Sequence, residues 1–485
     1  MPRINPRSAA RIAGLALFWL AAALLLIVVA WVLSNLRDID PVPRPAVLAL
    51  PKPQLPDEGN AFFALVGLRA AADKEPAAAG RAAWLAHLKF TMPPTQAHAD
   101  AVARSFQLAE QQALGPLLLA PSGPPWVCSS SYGDCTNAWI DGAEALDAQR
   151  KSLAIAGQRC EQMLDEGFEF EERLPADFSP AAAIAPHLAN ASFCSRWLRS
   201  AAVLSWLDKR PIEALASLAR ADRFSRALLA GSHTLIAQMI ALRVARDTLA
   251  TISTLAGRDK TMATALAPLL APWPDQSQAV LRWIATESTF QQDMVGQASA
   301  ECVASPELPN DSGAVLPRLA QSATAWLCGH RVGWHPERMR ATLDERWLLL
   351  HERMAAGLAA SLALEAADAK AAEARSVLGL LTWRNTFGSA VLAIGDGAYR
   401  GYLARHADLE LHREAVVLAI EAAPIAPPER ATWTSRHAQS PLAQDRLSWD
   451  AEGLTLSART WQQEYAGGAG FNAERDAIRI TFPKP

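Results

Sequence analysis

An uninterrupted apolar run near the start constrains this chain more than any other feature. From Ile12 to Leu33, 22 residues carry no charge and no proline. As a helix rising about 1.5 Å per residue the run spans roughly 33 Å, enough for a bilayer's hydrocarbon core. Trp19 lies inside it and Trp31 near its end, where an indole suits the headgroup level. Arg3, Arg7 and Arg11 precede the run with the α-amine, whereas Arg37, Asp38, Asp40 and Arg44 beyond it nearly cancel. That basic excess predicts a cytoplasmic N-terminus and about 450 residues translocated. A cleaved signal peptide is the competing reading, but its apolar core is only about 7–15 residues, followed by small residues. Trp31-Val32-Leu33-Ser34-Asn35 offers no Ala-x-Ala, and no Cys stands nearby for lipid attachment.

Charge excludes a second class of function. The chain carries 46 Lys and Arg against 49 Asp and Glu, and three of those arginines precede the apolar run. The exported remainder is therefore mildly acidic, which leaves no footprint for nucleic-acid binding. An apolar content of 51% with 20% charged residues also excludes a mostly disordered chain.

All six cysteines, Cys128, Cys135, Cys160, Cys194, Cys302 and Cys328, follow the run. An even count in an exported domain predicts three disulfides, with neighbour pairing the economical choice among 15 connectivities. Cys128 and Cys135 would staple a polar loop, and the other two pairs would each tie a helical hairpin. Closing loops of roughly 25–35 residues contributes about 3–4 kcal/mol each in the chain-entropy model. Cys328, His330 and His335 match no standard zinc spacing, and a fourth ligand is missing. No metal or cofactor is expected.

Four segments follow from the patterning. Residues 1–34 form the cytoplasmic N-terminus and anchor, and 35–56 a stalk with prolines at 41, 43, 45, 51, 53 and 56. As polyproline II the stalk would hold the folded part up to about 50 Å from the membrane. Residues 57–424 read as a helical domain. A helix opens at Asp57-Glu58, another runs from Thr95 to Leu114, and a long one from Thr136 to about Gly167. Leu235, Met239, Leu242, Ala245, Leu249 and Ile252 make a stripe at 3.6-residue spacing, as do Leu343, Trp347, Leu350 and Met354. Pro211 suits a first helical position. Ala201–Leu229 loosely fits tetratricopeptide spacing, but no period extends it, so a non-repeating domain is favoured over a solenoid. Residues 425–485 change to alternating patterns. Leu447-Ser448-Trp449 and Leu454-Thr455-Leu456 flank a hairpin turn, and Ile478, Ile480 and Phe482 alternate again. The expected fold class is mainly α: an N-terminal transmembrane helix, an exported multi-helix domain and a small C-terminal antiparallel β appendage.

Gly231-Ser232-His233-Thr234-Leu235-Ile236, and Ser440-Pro441-Leu442 leading to Leu447-Ser448-Trp449-Asp450, carry a resemblance. Over Ala201–Ala256 and Leu409–Pro485, about a quarter of the chain, it is similar to uncharacterised membrane-anchored, mostly helical envelope proteins of proteobacteria. The resemblance implies an inner-membrane location with the bulk periplasmic, and brings no activity and no catalytic residues.

Hydrolase and nucleotide motifs are absent: no Gly-x-Ser-x-Gly, no Walker loop, and no second histidine after His351-Glu352. Asp408 and His412, four apart on a helix, would suit a general-base pair or a solvated helical pair. Tyr399, Tyr402, Arg405 and His406 just upstream would line one polar face. Glu161, Asp165, Glu166, Glu169, Glu171, Glu172 and Asp177, opposed only by Arg173, form an acidic stretch that would either dock a basic partner or be a soluble helix end and loop. Trp126, Tyr132 and Trp139 flank or occupy the stapled loop and are candidates for exposed anchors, with structural burial the favoured reading. These features favour a membrane-tethered periplasmic scaffold that binds another protein, as an immunity factor or assembly subunit. The alternative is a periplasmic hydrolase working through Tyr399, Tyr402, Arg405, Asp408 and His412.

Overall fold

The computed structural model describes residues 6–34, 38–88, 112–116, 118, 126, 135–165, 167–174, 187–304, 335–364, 386–438, 440–462 and 478–481. The chain is mainly helical with a small three-stranded antiparallel sheet near the C-terminus. It divides into two compact units. One comprises Met1–Ala46, Gln291–Leu348 and Asp368–Gly397; the other Val47–Phe290, Leu349–Ala367 and Ala398–Pro485.

Helix α1 spans Pro6–Ser34 in the first unit. Twelve of its large apolar side chains, from Leu15 to Leu33, are 45–69% exposed. Among the described residues no helix is long and apolar enough to cross a membrane. The transmembrane span expected over Ile12–Leu33 is therefore not supported there.

The second unit is built on helical hairpins. Asn60 opens α2 (Ala61–Val66) by accepting the Phe62 amide, three residues past the start expected at Asp57. Helix α3 (Pro76–Leu88) packs on α2. The long helix expected over Thr136–Gly167 is instead α4 (Cys135–Asp141), α5 (Ala143–Ser152) and α6 (Ala154–Asp165). Gly142, a poor helix former, marks the first break. Leu153 marks the second, its amide turning back to the Arg150 and Lys151 carbonyls. Of the helix expected over Thr95–Leu114, residues 95–111 lie outside the described residues.

Three longer helices, α7 (His187–Leu207), α8 (Pro211–Gly231) and α9 (Leu235–Arg258), form the centre. Three-residue turns make consecutive members antiparallel. Lys209 takes a left-handed φ of 60° in the first turn, and Pro211 starts α8 as expected. The α9 stripe is inward: Leu235, Leu242, Ala245, Leu249 and Ile252 are all buried. Helix α4 packs on α7 and α9, with α5 and α6 along α7. A disulfide joins Cys160 of α6 to Cys194 of α7, as neighbour pairing predicts. Cys135 is also disulfide-bonded; Cys128, Cys328 and the Cys302 side chain lie outside the described residues.

Helices α10 (Lys260–Leu266), α11 (Gln276–Ala304), α12 (Pro336–Met354), α13 (Thr386–Ala422) and α14 (Pro427–His437) complete the helical part. Strands β1 (Leu447–Trp449), β2 (Thr455–Ala458) and β3 (Ile478–Thr481) pair in that order. Trp449 faces Leu456 and Leu456 faces Ile480. Gly453 turns the first hairpin at φ 64°, and Asp450 accepts the Leu454 amide at 2.7 Å. Strand β3 packs on α9.

The described part of the Pro-rich segment makes a few contacts in each unit. In the first unit Asp38 accepts the Glu337 and Arg338 amides at 2.8 and 3.1 Å, capping α12. In the second, Leu48 is buried and Glu171 binds the Gln54 and Leu55 amides.

Candidate functional site

The acidic stretch turns inward. Residues 168–174 run extended, so successive side chains point to opposite sides. The backbone is fixed first: Ala61 donates to the Glu169 carbonyl at 2.9 Å, and Asn60 exchanges two hydrogen bonds with the Glu171 backbone at 2.8 and 3.1 Å. Glu172 donates to the Gly231 carbonyl at 2.8 Å. Only glycine fits at 231, because a Cβ would stand 1.8 Å from the Phe170 oxygen.

Glu171 then reaches toward the residues before α2. Its carboxylate accepts the Gln54 and Leu55 amides at 2.9 and 2.8 Å and Arg173 at 2.7 Å. Glu172 reaches the opposite way, to the start of α9. It accepts the His233 and Thr234 amides at 2.7 and 2.8 Å and the Thr234 hydroxyl at 2.8 Å. His187 Nε2 lies 3.6 Å from Glu172, and His233 Nε2 lies 3.5 Å from Glu171. Two carboxylates and two imidazoles thus meet in a buried seam between α2, α7 and the α8–α9 turn. Glu287 of α11 joins it, accepting the Leu235 amide at 3.4 Å.

The electrostatics follow from these partners. Burial pushes Glu172 upward, but His187 and the two amides outweigh it and hold the carboxyl below its ordinary range. Glu171 is also lowered: burial is opposed by the Gln54 and Leu55 amides, Arg173 and His233. Burial lowers His233 against the pull of Glu172 and Glu171. Glu287 moves the other way, to about 7, because burial and the Glu172 charge prevail over the Leu235 amide.

Of the acidic patch expected to dock a basic partner, Glu169 is exposed while Glu171 and Glu172 are buried, held by backbone amides. Trp126 and Trp139 are likewise not exposed anchors, both being 0% exposed. Trp126 packs on Phe193, and Trp139 lies under Arg199. Tyr132 lies outside the described residues.

The polar face expected on α13 divides. Tyr399 stacks on Trp283 and contacts Tyr402, over which Arg405 lies 5.2 Å from the ring centroid. His406 is buried against Gln276, its Nδ1 2.9 Å from the amide oxygen. Asp408 and His412 are both buried, so the solvated pair does not describe them. Asp408 accepts the Trp461 and Gln462 amides, tying the C-terminal segment to α13. Burial raises Asp408 to about 7 and lowers His406 and His412 to about 3. Among the described residues, no group of His, Cys, Asp and Glu is placed to hold a metal ion.

His187, His233, Glu287 and Asn60 are site residues that the linear pattern does not disclose. His233 does stand in the Gly231–Ile236 segment, the one local signal available. No family model, characterised protein or solved structure matches this chain.

Proposed function

We propose that the chain is a helical scaffold tethered to a bacterial membrane by α1, which binds another envelope protein. One observation carries this reading: the exposed apolar side chains of α1, from Leu15 to Leu33, surround the helix instead of forming one stripe. Such a surface is covered by lipid or by other apolar helices. The arginines before it and the near-cancelling charges after it orient the N-terminus toward the cytoplasm. The acidic and aromatic features beyond it brace the fold, which suits a scaffold. The test is fractionation of cells carrying the full chain, followed by alkaline carbonate washing. Retention in the pellet, with the bulk digested by protease added outside the inner membrane, is expected. Recovery in the soluble fraction overturns the tether. Cross-linked capture from gently solubilised membranes then tests the partner: a stoichiometric, salt-sensitive protein supports binding, and recovery of the chain alone refutes it.

The hydrolase alternative moves from Asp408 and His412 to the Glu172 seam, because Glu287, titrating at about 7, lies half-buried beside Glu172. A carboxyl so placed suits a general acid or base. Glu287→Gln separates the readings. A folded variant that loses its cellular phenotype favours catalysis, and one that keeps it favours the scaffold.

A further inference from the structure

Helices α7 and α9 together carry five arginines, Arg196, Arg199, Arg243, Arg246 and Arg258, and a single acidic residue, Asp247. That imbalance lies within a chain whose net charge is −3. Arg199 sets the register between the helices. It is 1% exposed, donates to the Asp247 carboxylate at 3.1 Å and to the Asp247 carbonyl at 3.1 Å, and lies over the Trp139 ring. Ser195 and Thr251 complete its hold. One helical turn before Arg199 stands Arg196, and one turn before Asp247 stands Arg243. Because α7 and α9 both run antiparallel to α8, they run parallel to each other, so the Arg199–Asp247 register sets Arg196 and Arg243 one turn along on the two contacting helices. Asp247, already held by Arg199, is the acidic residue of this face. Arg258 is engaged at the far end of α9 by Asn137, and Arg246 turns toward Asp408 and His412 of α13. Burial lowers the affinity of Arg196 for its proton, repulsion from Arg243 and Arg199 adds to it, and Asp247 opposes it.

We propose that Arg196 and Arg243 form a binding site for a phosphate group. Two guanidinium forks beside the Arg199–Asp247 ion pair favour a doubly charged tetrahedral oxyanion over a singly charged carboxylate. Arg196 is half-buried and Arg243 exposed, so the site is open on one side. Either free phosphate or the phosphate of a lipid headgroup supplies this chemistry. The inference stands apart from the tether, since it concerns the second unit alone.

The test uses the full chain in non-ionic detergent, titrated calorimetrically with inorganic phosphate, and with acetate at matched ionic strength. Phosphate is expected to bind in preference to acetate. Arg196→Gln and Arg243→Gln should each weaken it by roughly 10-fold or more. Arg223→Gln, an exposed arginine on α8 outside the pair, should leave it unchanged. A second arm measures binding to phosphatidylcholine vesicles with and without phosphatidic acid. Arginine-dependent binding in the vesicle arm alone assigns the site to headgroups, and in the titration to the free ion. The glutamine variants relieve like-charge repulsion and should match the parent in unliganded thermal midpoint. Should Arg196→Gln fail to fold, the exposed Arg243→Gln and Arg243→Lys carry the test, with Lys binding more weakly than Arg. Absence of phosphate-dependent binding in both arms, or undiminished binding by Arg243→Gln, overturns the proposal.

Discussion

Adjacent carboxylates with opposite reach explain much of the second unit at the residue scale. Glu172 accepts three donors at the start of α9, and an amide in its place can satisfy them only in part. Glu172→Gln should therefore lower stability by about 1–3 kcal/mol, read as a shift in denaturant midpoint at constant slope. The depressed carboxyls of Glu171 and Glu172 stabilise the fold above their unfolded pKa, and that contribution fades as pH falls through the folded one. The buried histidines act over a higher window. His412 titrates at about 3 when folded and near its ordinary value when unfolded. Between those limits only the unfolded chain takes up the proton, so His412 by itself contributes a fall in stability with acidification of about 1.4 kcal/mol per pH unit. His412→Phe should remove that slope between pH values of about 6 and 4. An unchanged slope in urea titrations across this range would show that His412 is protonated in the native state.

At the scale of elements, the apolar periodicities of α9 and α12 and the alternation of β1, β2 and β3 were legible because burial alone sets them. The break at Gly142 had a local cause, whereas the break at Leu153 had none that a linear pattern displays. The candidate seam was hidden for a different reason. Asn60 and Glu171, 111 residues apart, complete each other's hydrogen bonds, and no local window holds both. A run of acids therefore resembled a solvated surface while its members faced backbone amides. The Cys160–Cys194 bridge was legible from count and order, and it spans 34 residues between α6 and α7. Cys194→Ser should cost about 3–4 kcal/mol by releasing that loop in the unfolded chain. Equal thermal midpoints for this variant and the oxidised parent would assign the stabilisation to α6–α7 packing instead.

For the whole molecule, the proposed tether would set where everything else operates. Leu25→Arg places a charge midway along the exposed apolar surface of α1, at an insertion cost of about 2.5–3.5 kcal/mol. The variant should shift toward the carbonate-soluble fraction; full retention would mean that α1 is covered by protein. The seam also has a bearing on how the molecule comes into being. Synthesis proceeds from the N-terminus, so Asn60 leaves the ribosome 111 residues ahead of Glu171. Glu172 in turn waits 62 more for Thr234. Until then the six-residue α2, too short to persist by itself, has only α3 against it, and the side of Phe62 that meets Phe170 and His187 stays open. The earliest part of this unit to be made is thus among the last to be finished. Nascent chains ending before residue 234 should be open to chaperones and proteases along their whole leading segment, and closure of one late turn ends that exposure.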